Sequence, residues 1–580
     1  MNRAGAQALH PPVGEAWGQP EPAMARRHAR LARAPMVWLV STLGLTIFFG
    51  AMAARDLDDV RPVSSDDVEI MAVSYKLATQ GVLGSDPQAG FFHAEDHHFL
   101  TLPVQHVLQA VTFRAFGAGV PQARWVSVAA AASLIWSVGW LAWRWYGLGA
   151  AVLSEFLLVA WPSDLVPGSP GLPLVSVART ARYDVTAVAF IWLSLVLLDG
   201  VLRRPGRVRA LASGLSAGLA ALTQFFGLFA LPLIALNYVW WSGRRAWRQP
   251  CTYWLLAGVG LLLVPYALYA AHFHDDLVGQ WRVHVDRGIF GPPAFYLSNA
   301  LQEPARYAHL QNLPLPGLRH PDALTRPLSP WLLIVGTPLA LVWLGRRTWV
   351  TRAQGDRLLL SSLLVCQGLL AALDVTKAPL YAILLVPPVC LALAAFATAA
   401  LGWLSRTGRG PSVRLISLGA GVAVLAIIAV EGGVAYQADG IRAEQTSSYL
   451  DLGNRMERSL PSGARVLGPE RWWWPLHDHP YLALRNLWRQ WEVAAAAGEQ
   501  TPRFQDWVTR ADSDFVVVNE DVRQDLSVYP QALQDQVWAF LGDCSTAWGD
   551  WTDPTYGEIE LRQVIRPLPD GPSCKGASDP

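Results

Sequence analysis

The sequence predicts a mainly α, polytopic membrane protein that ends in an α/β domain outside the cytoplasm. Three observations carry this. Charged residues are 16% of the chain and hydrophobic residues 52%, whereas soluble domains average about 25% charged. Apolar runs near the ~20 residues that cross a bilayer as a helix recur down the sequence. Arginines gather at alternate junctions between those runs, as the excess of basic residues in cytoplasmic loops requires. A net charge of +1 gives no reason to expect nucleic acid as a partner.

Residues 1–35 are a Pro/Ala/Arg-rich tail, expected to be disordered and cytoplasmic. The apolar run after it is too long for a secretory signal and lacks a small-residue cleavage site. About eleven spans follow, at 36–54, 121–142, 146–161, 183–198, 210–225, 226–241, 251–271, 330–345, 358–373, 378–404 and 415–436. Arg26, Arg27, Arg30 and Arg33 precede the first, and Arg144 lies between the second and third. Arg203, Arg204, Arg207 and Arg209, then Arg244, Arg245 and Arg248, mark later cytoplasmic turns. Arg346, Arg347 and Arg352, with Arg406, Arg409 and Arg414, complete the series.

The odd count leaves three large segments outside: 55–120, 272–329 and 437–580. The transmembrane part is therefore 36–436. The last segment is long enough for its own domain, and strand-like pieces at 464–467, 515–519 and 558–564 point to a small α/β module. Cys251, Cys366 and Cys390 fall in or at spans and read as core residues. Cys544 and Cys574 lie in the outer module, where a disulfide is permitted.

Ionisable side chains beside a bilayer are costly and ask for a reason. Asp66 and Asp67 open a helical pattern that runs to Gly81. Ser65 or Asp66 is placed to cap that helix, and Asp66 is equally placed to act as a general base toward a bound hydroxyl. Arg179 and Arg182 stand on the outer side, against the charge rule, so each needs an anionic partner: Asp184, or a ligand phosphate. Lys377 is isolated before Tyr381 and either snorkels or binds phosphate. Two His-rich stretches, His93 to His98 and His272 to His284, contain His93, Glu95 and His274 as candidate ligands for zinc or another divalent ion. No spacing there is diagnostic.

A second helical run ends at Phe116-Gly117. With it, the ordered set Asp66-Asp67, Gly81, Leu102-Pro103, Phe116-Gly117 and Arg124 resembles the integral-membrane GT-C glycosyltransferases, in the protein O-mannosyltransferase and aminoarabinose-transferase-like branch. Arg182-Tyr183-Asp184 resembles that family's Arg-x-Asp/Glu segment, and Leu222-Thr223-Gln224 with Leu231-Pro232 its Leu-Thr-Lys…Pro segment. Gln280, Glu303, Arg306 and Tyr307 suit its second outer loop, and Lys377, Tyr381 and Pro387 its Lys…Tyr…Pro stretch. The match extends over most of 36–570. Three positions depart from it: Asp67 stands for Glu, Gln224 for a common Lys, and Leu100-Thr101-Leu102-Pro103 for a Glu-Lys-Pro-Pro stretch. A family lysine is thus missing, which leaves His97 or His98 to take over part of its role.

The resemblance implies a GT-C fold and a polyprenyl-phosphate sugar donor. It also implies an acceptor hydroxyl on a glycolipid, polysaccharide or protein, and work on the non-cytoplasmic face of a bacterial inner membrane. It makes Asp66 the base, with Asp67 and Asp184 orienting. Arg179, Arg182, Arg306 and Lys377 would face the leaving phosphate with Tyr307 and Tyr381, supported by Glu303, His97 and His98. A single displacement inverts the anomeric carbon. A lipid-sugar transporter, or a family member that binds without catalysis, is the alternative from the residues alone.

Overall fold

The computed structural model describes residues 22–161, 172–243, 248–285, 292–308, 329–407 and 411–566. Each expected span overlaps a helix, though 210–225 runs past the end of helix Arg207–Ala221. Among the described residues, seven helices are long and apolar enough to cross a membrane, and Leu148–Ala160 and Phe225–Trp240 are shorter apolar helices. The chain is an integral membrane protein. The first helix, Pro22–Ala54, starts well before Met36. Its opening Ala, Arg and Leu residues are strong helix formers, so helix takes over part of the tail expected to be disordered.

Segment 55–120 supplies two short helices. Ser65–Gln80 begins at Ser64, whose hydroxyl accepts from the Asp67 N–H while the Asp67 carboxylate accepts from the Ser64 N–H. This reciprocal cap corrects the expected one: neither Ser65 nor Asp66 serves, and Asp66 is left free to point elsewhere. Gly81 ends the helix at φ +76, a left-handed turn that glycine adopts without a Cβ penalty. Pro103–Phe116 starts on a proline at its first position, where the missing N–H has no partner to lose.

The C-terminal α/β domain is built on a five-stranded sheet. Its strands are β1 (Val466–Gly468), β2 (Tyr481–Ala483), β3 (Phe515–Asn519), β4 (Ser545–Asp553) and β5 (Gly557–Val564), ordered β2-β1-β3-β5-β4. β1 runs parallel to β2 and β3, with Val466 opposite both Tyr481 and Phe515. β5 is antiparallel to β3 and β4. All five β3 residues are buried, because both faces are covered. Val516 and Val518 pack with Leu487, Trp488 and Phe540 of the covering helices. Phe515 and Val517 share a core with Trp472, Trp474 and Tyr449, and with Val68, Met71 and Ala72 of helix Ser65–Gln80. Alternation along one strand therefore joins the sheet to segment 55–120. Cys544 is disulfide-bonded, and Cys574 lies outside the described residues.

Candidate active site

Helix Ser65–Gln80 carries Asp66 and Glu69 on one face, since positions three apart are neighbours on a helix. The sheet brings cations to meet them. Past the carboxyl ends of the three parallel strands lie Glu470 (after β1), Arg485 and Arg489 (after β2) and Asp525 (after β3). That edge is where open α/β sheets commonly present ligand-binding groups. Between the two surfaces is a cavity of about 360 Å³, lined among others by Asp66, Glu69, Thr101, Arg182, Tyr183, Tyr381, Arg485, Arg489 and Asp525. An adjoining apolar chamber of about 210 Å³ shares Leu100, Thr101, Tyr183 and Tyr381 with it and adds Phe99, Phe225, Phe226, Phe229, Trp281 and Leu370.

The Asp66 carboxylate accepts from Arg182 Nη1 and, at 3.3 Å, from Arg485 Nη1. Its side chain keeps 46% of its surface exposed. Burial raises its pKa, but the two arginines outweigh that and hold it below the usual carboxylate range. Glu69 accepts from Gln88 and Arg489 at 2.8 Å each and from Arg485 at 3.2 Å. Burial works against its charge too, and Arg489 and Arg485 again win, driving it well down. Both carboxylates are ionised at neutral pH. Glu470 behaves oppositely: burial pushes it to about 7 although Arg485 Nε lies 3.7 Å away. Burial also raises Asp525.

Asp67 is fully buried and turned away from the cavity. Beyond its cap it accepts from the Ala181 N–H at 2.8 Å and lies 3.5 Å from Arg124, so it fixes the segment that carries Arg182. Arg182 donates through Nε to Asp184 at 2.8 Å, and Asp184 is fully buried. The paired carboxylates, Asp184 first, raise Arg182 well above its ordinary value against the pull of burial. Arg179, three residues earlier, misses the cavity. Its guanidinium is taken up by Asp439 and the carbonyls of Met52 and Ala53, so it clamps the first span to the last long helix.

A second acid–base cluster gathers Glu303, Arg306, Asp374 and Lys377. Arg306 binds Glu303 at 2.8 and 3.1 Å, Asp374 at 2.7 Å and the Ala378 carbonyl at 2.7 Å. Lys377 has φ 50, and its Nζ reaches the Ala371 carbonyl at 2.6 Å and Glu303 at 3.3 Å. Burial opposes the charges of Glu303 and Arg306, yet their mutual pairing lowers the first and raises the second. Only Asp374 of the four reaches a chamber wall. Tyr381 lines both chambers. The Tyr307 side chain lies outside the described residues.

The histidines expected to stand in for a lysine do not line the cavity. His97 stacks on Phe273 with ring centres 3.5 Å apart and meets Tyr269 Oη at 3.1 Å. His98 meets the Thr101 hydroxyl at 2.9 Å. The candidate metal ligands also part company. His93 pairs with Asp276 at 2.8 Å, Glu95 accepts from the Gly90 N–H at 2.9 Å, and His274 faces Asp275 at 3.3 Å. Among the described residues no group of three or more His, Cys, Asp or Glu is placed to hold a metal ion.

The polar residues of the site that the sequence pattern did not single out include Glu69, Arg485, Arg489, Asp525 and Thr101. The i, i+3 spacing of Asp66 and Glu69 was the available signal, as was the i, i+4 spacing of Arg485 and Arg489 on helix Leu484–Ala497.

No family model and no curated protein matches this chain. Solved structures do. ArnT from Cupriavidus metallidurans bound to undecaprenyl phosphate matches with a TM-score of 0.55 and 15% identity, over 91% of this chain and 98% of that one. The oligosaccharyltransferase of Archaeoglobus fulgidus, tethered with an acceptor peptide containing the NVT sequon, matches with a TM-score of 0.56 and 12% identity, over 91% and 74%. A structure of that archaeal enzyme in complex with zinc and sulfate matches with a TM-score of 0.54 and 12% identity, over 89% and 72%. Both neighbours are GT-C glycosyltransferases. Over about nine-tenths of its length the chain has the GT-C fold.

Proposed function

We propose that this protein is a membrane glycosyltransferase. It would move a sugar from a polyprenyl-phosphate donor to an acceptor hydroxyl, on the non-cytoplasmic face of a bacterial inner membrane. One observation carries the reading. A half-exposed carboxylate, Asp66, shares a polar cavity with Arg182, Arg485 and Tyr381, and that cavity adjoins an apolar chamber. A lipid phosphate ester needs both environments side by side. The solved neighbours include one bound to undecaprenyl phosphate, which agrees with it.

Asp66 receives the proton of the attacking hydroxyl. Its two arginines keep it ionised and make it a weak base, suited to orienting the acceptor and taking the proton late in the displacement. Arg182, Arg485 and Tyr381 face the charge gathering on the leaving phosphate. Asp67 and Asp184 hold Asp66's helix and Arg182 in register. A single displacement requires no enzyme nucleophile and inverts the anomeric carbon. A divalent ion has no ligand set among the described residues, and no step is assigned to one.

The test is transfer of label from a set of polyprenyl-phosphate sugars by membranes carrying the wild-type protein or Asp66→Asn. The variant should lose about 10²- to 10⁴-fold in rate while its fold persists. Unchanged transfer removes Asp66 from this role. Translocation of sugar-lipid with no transfer by the wild type would replace the enzyme with a transporter.

A further inference from the structure

Behind Thr101, on the wall common to both chambers, runs a buried chain of hydrogen bonds. Thr101 Oγ1 is 2.6 Å from His106 Nε2 and 2.9 Å from His98 Nε2. On its far side, His106 Nδ1 lies 3.2 Å from both Ser74 Oγ and the Ile70 carbonyl. Ser74 Oγ is 2.7 Å from Gln109 Oε1 and 2.8 Å from the Ile70 carbonyl. Gln109 Nε2 in turn donates to the Ala181 carbonyl at 2.7 Å. Ser74, His106 and Gln109 are fully buried.

The protons in this chain can be placed by elimination. Gln109 spends its N–H on Ala181, so its oxygen faces Ser74 and takes the Ser74 proton, unless the Ile70 carbonyl does. Either way Ser74 Oγ has no hydrogen left for His106. His106 Nδ1 then sees only acceptors and must carry the ring proton. Burial holds that ring neutral, with a pKa of about 4, so Nε2 is a bare lone pair. The Thr101 hydroxyl donates to it, and His98 Nε2–H donates to Thr101. The opposite tautomer would need the Ser74 hydrogen across 3.2 Å, away from the closer acceptors Gln109 Oε1 and the Ile70 carbonyl.

We infer that Thr101 is a sugar-positioning residue. With its hydrogen committed inward to His106, its remaining lone pair faces the cavity as an acceptor for a hydroxyl or ammonium group of the donor sugar. It cannot serve as a ligand to phosphate oxygens, which need a hydrogen. This rests on the cavity being a sugar-lipid site, as proposed above.

The test measures binding to the full-length protein in lipid nanodiscs. The probes are undecaprenyl phosphate and undecaprenyl phosphate carrying glucose, mannose, arabinose or 4-amino-4-deoxyarabinose. Wild-type protein should bind at least one sugar-lipid more tightly than the bare lipid phosphate. Thr101→Val should weaken that sugar-lipid about five- to tenfold, the scale of one lost hydrogen bond, and leave undecaprenyl phosphate unchanged. Thr101→Ser should restore the difference. The unchanged lipid-phosphate affinity is the readout that a merely structural defect would move. Equal loss for both ligands, no loss for either, or a wild type blind to every sugar overturns the proposal. Sugar discrimination without any transfer would keep Thr101's role and overturn the glycosyltransferase reading instead.

Discussion

The Asp66 cluster and the Glu303 cluster are assembled from the same parts. Each has two ionisable residues three positions apart, Asp66 with Glu69 and Glu303 with Arg306, met by cations or anions from distant segments. In the Glu303 cluster every side chain is at most 11% exposed, and Arg306 is ringed by two carboxylates and a carbonyl. In the Asp66 cluster the carboxylate is 46% exposed and Arg485 26%. What separates the two clusters is therefore the unfilled side: the Glu303 ions close on one another, while the Asp66 ions leave room for a ligand. Charge content and spacing are alike in both.

Substitutions can break or sharpen that contrast. The largest effect expected is on turnover: Asp66→Asn loses the transfer described above, with a thermal midpoint within a few degrees of wild type. If the midpoint collapses, Asp66 is a structural ion like the others. Glu303→Gln should do the reverse. It leaves the buried Lys377 without a carboxylate and Arg306 with Asp374 alone, at a cost of about 3 kcal/mol, seen as lower thermal stability. Arg179→Met comes next. It leaves Asp439, 7% exposed, without its partner and should destabilise by about 3 kcal/mol. Its affinity for undecaprenyl phosphate should stay at the wild-type value; a specific fall in affinity would return Arg179 to the phosphate site.

The smallest effect is a pH dependence. The folded state raises Glu470 from 4.5 to about 7, so it favours the protonated acid. Stability from this group is present below pH 4.5 and is lost as pH rises toward 7. Glu470→Gln should therefore gain a few degrees in thermal midpoint over wild type at pH 8 and nothing near pH 4.5. An equal shift at both values would mean that the carboxyl does not titrate in this range.

Arg179 and Arg182 show how far the sequence could be read. Both are arginines outside a span, and both called for an anion. Only the chain path decides that one meets Asp439 and the other Asp66, because those partners lie 260 and 116 residues away. Asp66 was legible from local pattern, as were the helices around it, since apolar periodicity and capping are written within a few residues. Arg485 was not: it reaches Asp66 across 419 residues. The fold class was readable because membrane spans advertise themselves by length. The strands β2 and β4 were missed, the first because it runs straight into helix Leu484–Ala497, the second for exposing most of its side chains. At the stretch Leu100-Thr101-Leu102-Pro103 the missing lysine was visible, but not the buried His106 that governs the threonine in its place.

The Asp66–Arg182 ion pair also constrains how the chain is threaded. Two groups in contact on one side of a bilayer must be joined by an even number of crossings. Helix Val120–Tyr146 alone would strand them on opposite sides, and among the described residues the apolar helix available for the return is Leu148–Ala160. Its 13 residues rise only about 20 Å, against a hydrocarbon thickness of about 30 Å. A helix that short calls for lipid thinned around it or for a cavity set below the headgroups. In either case a lipid-borne substrate would travel less far out of the membrane to meet Asp66.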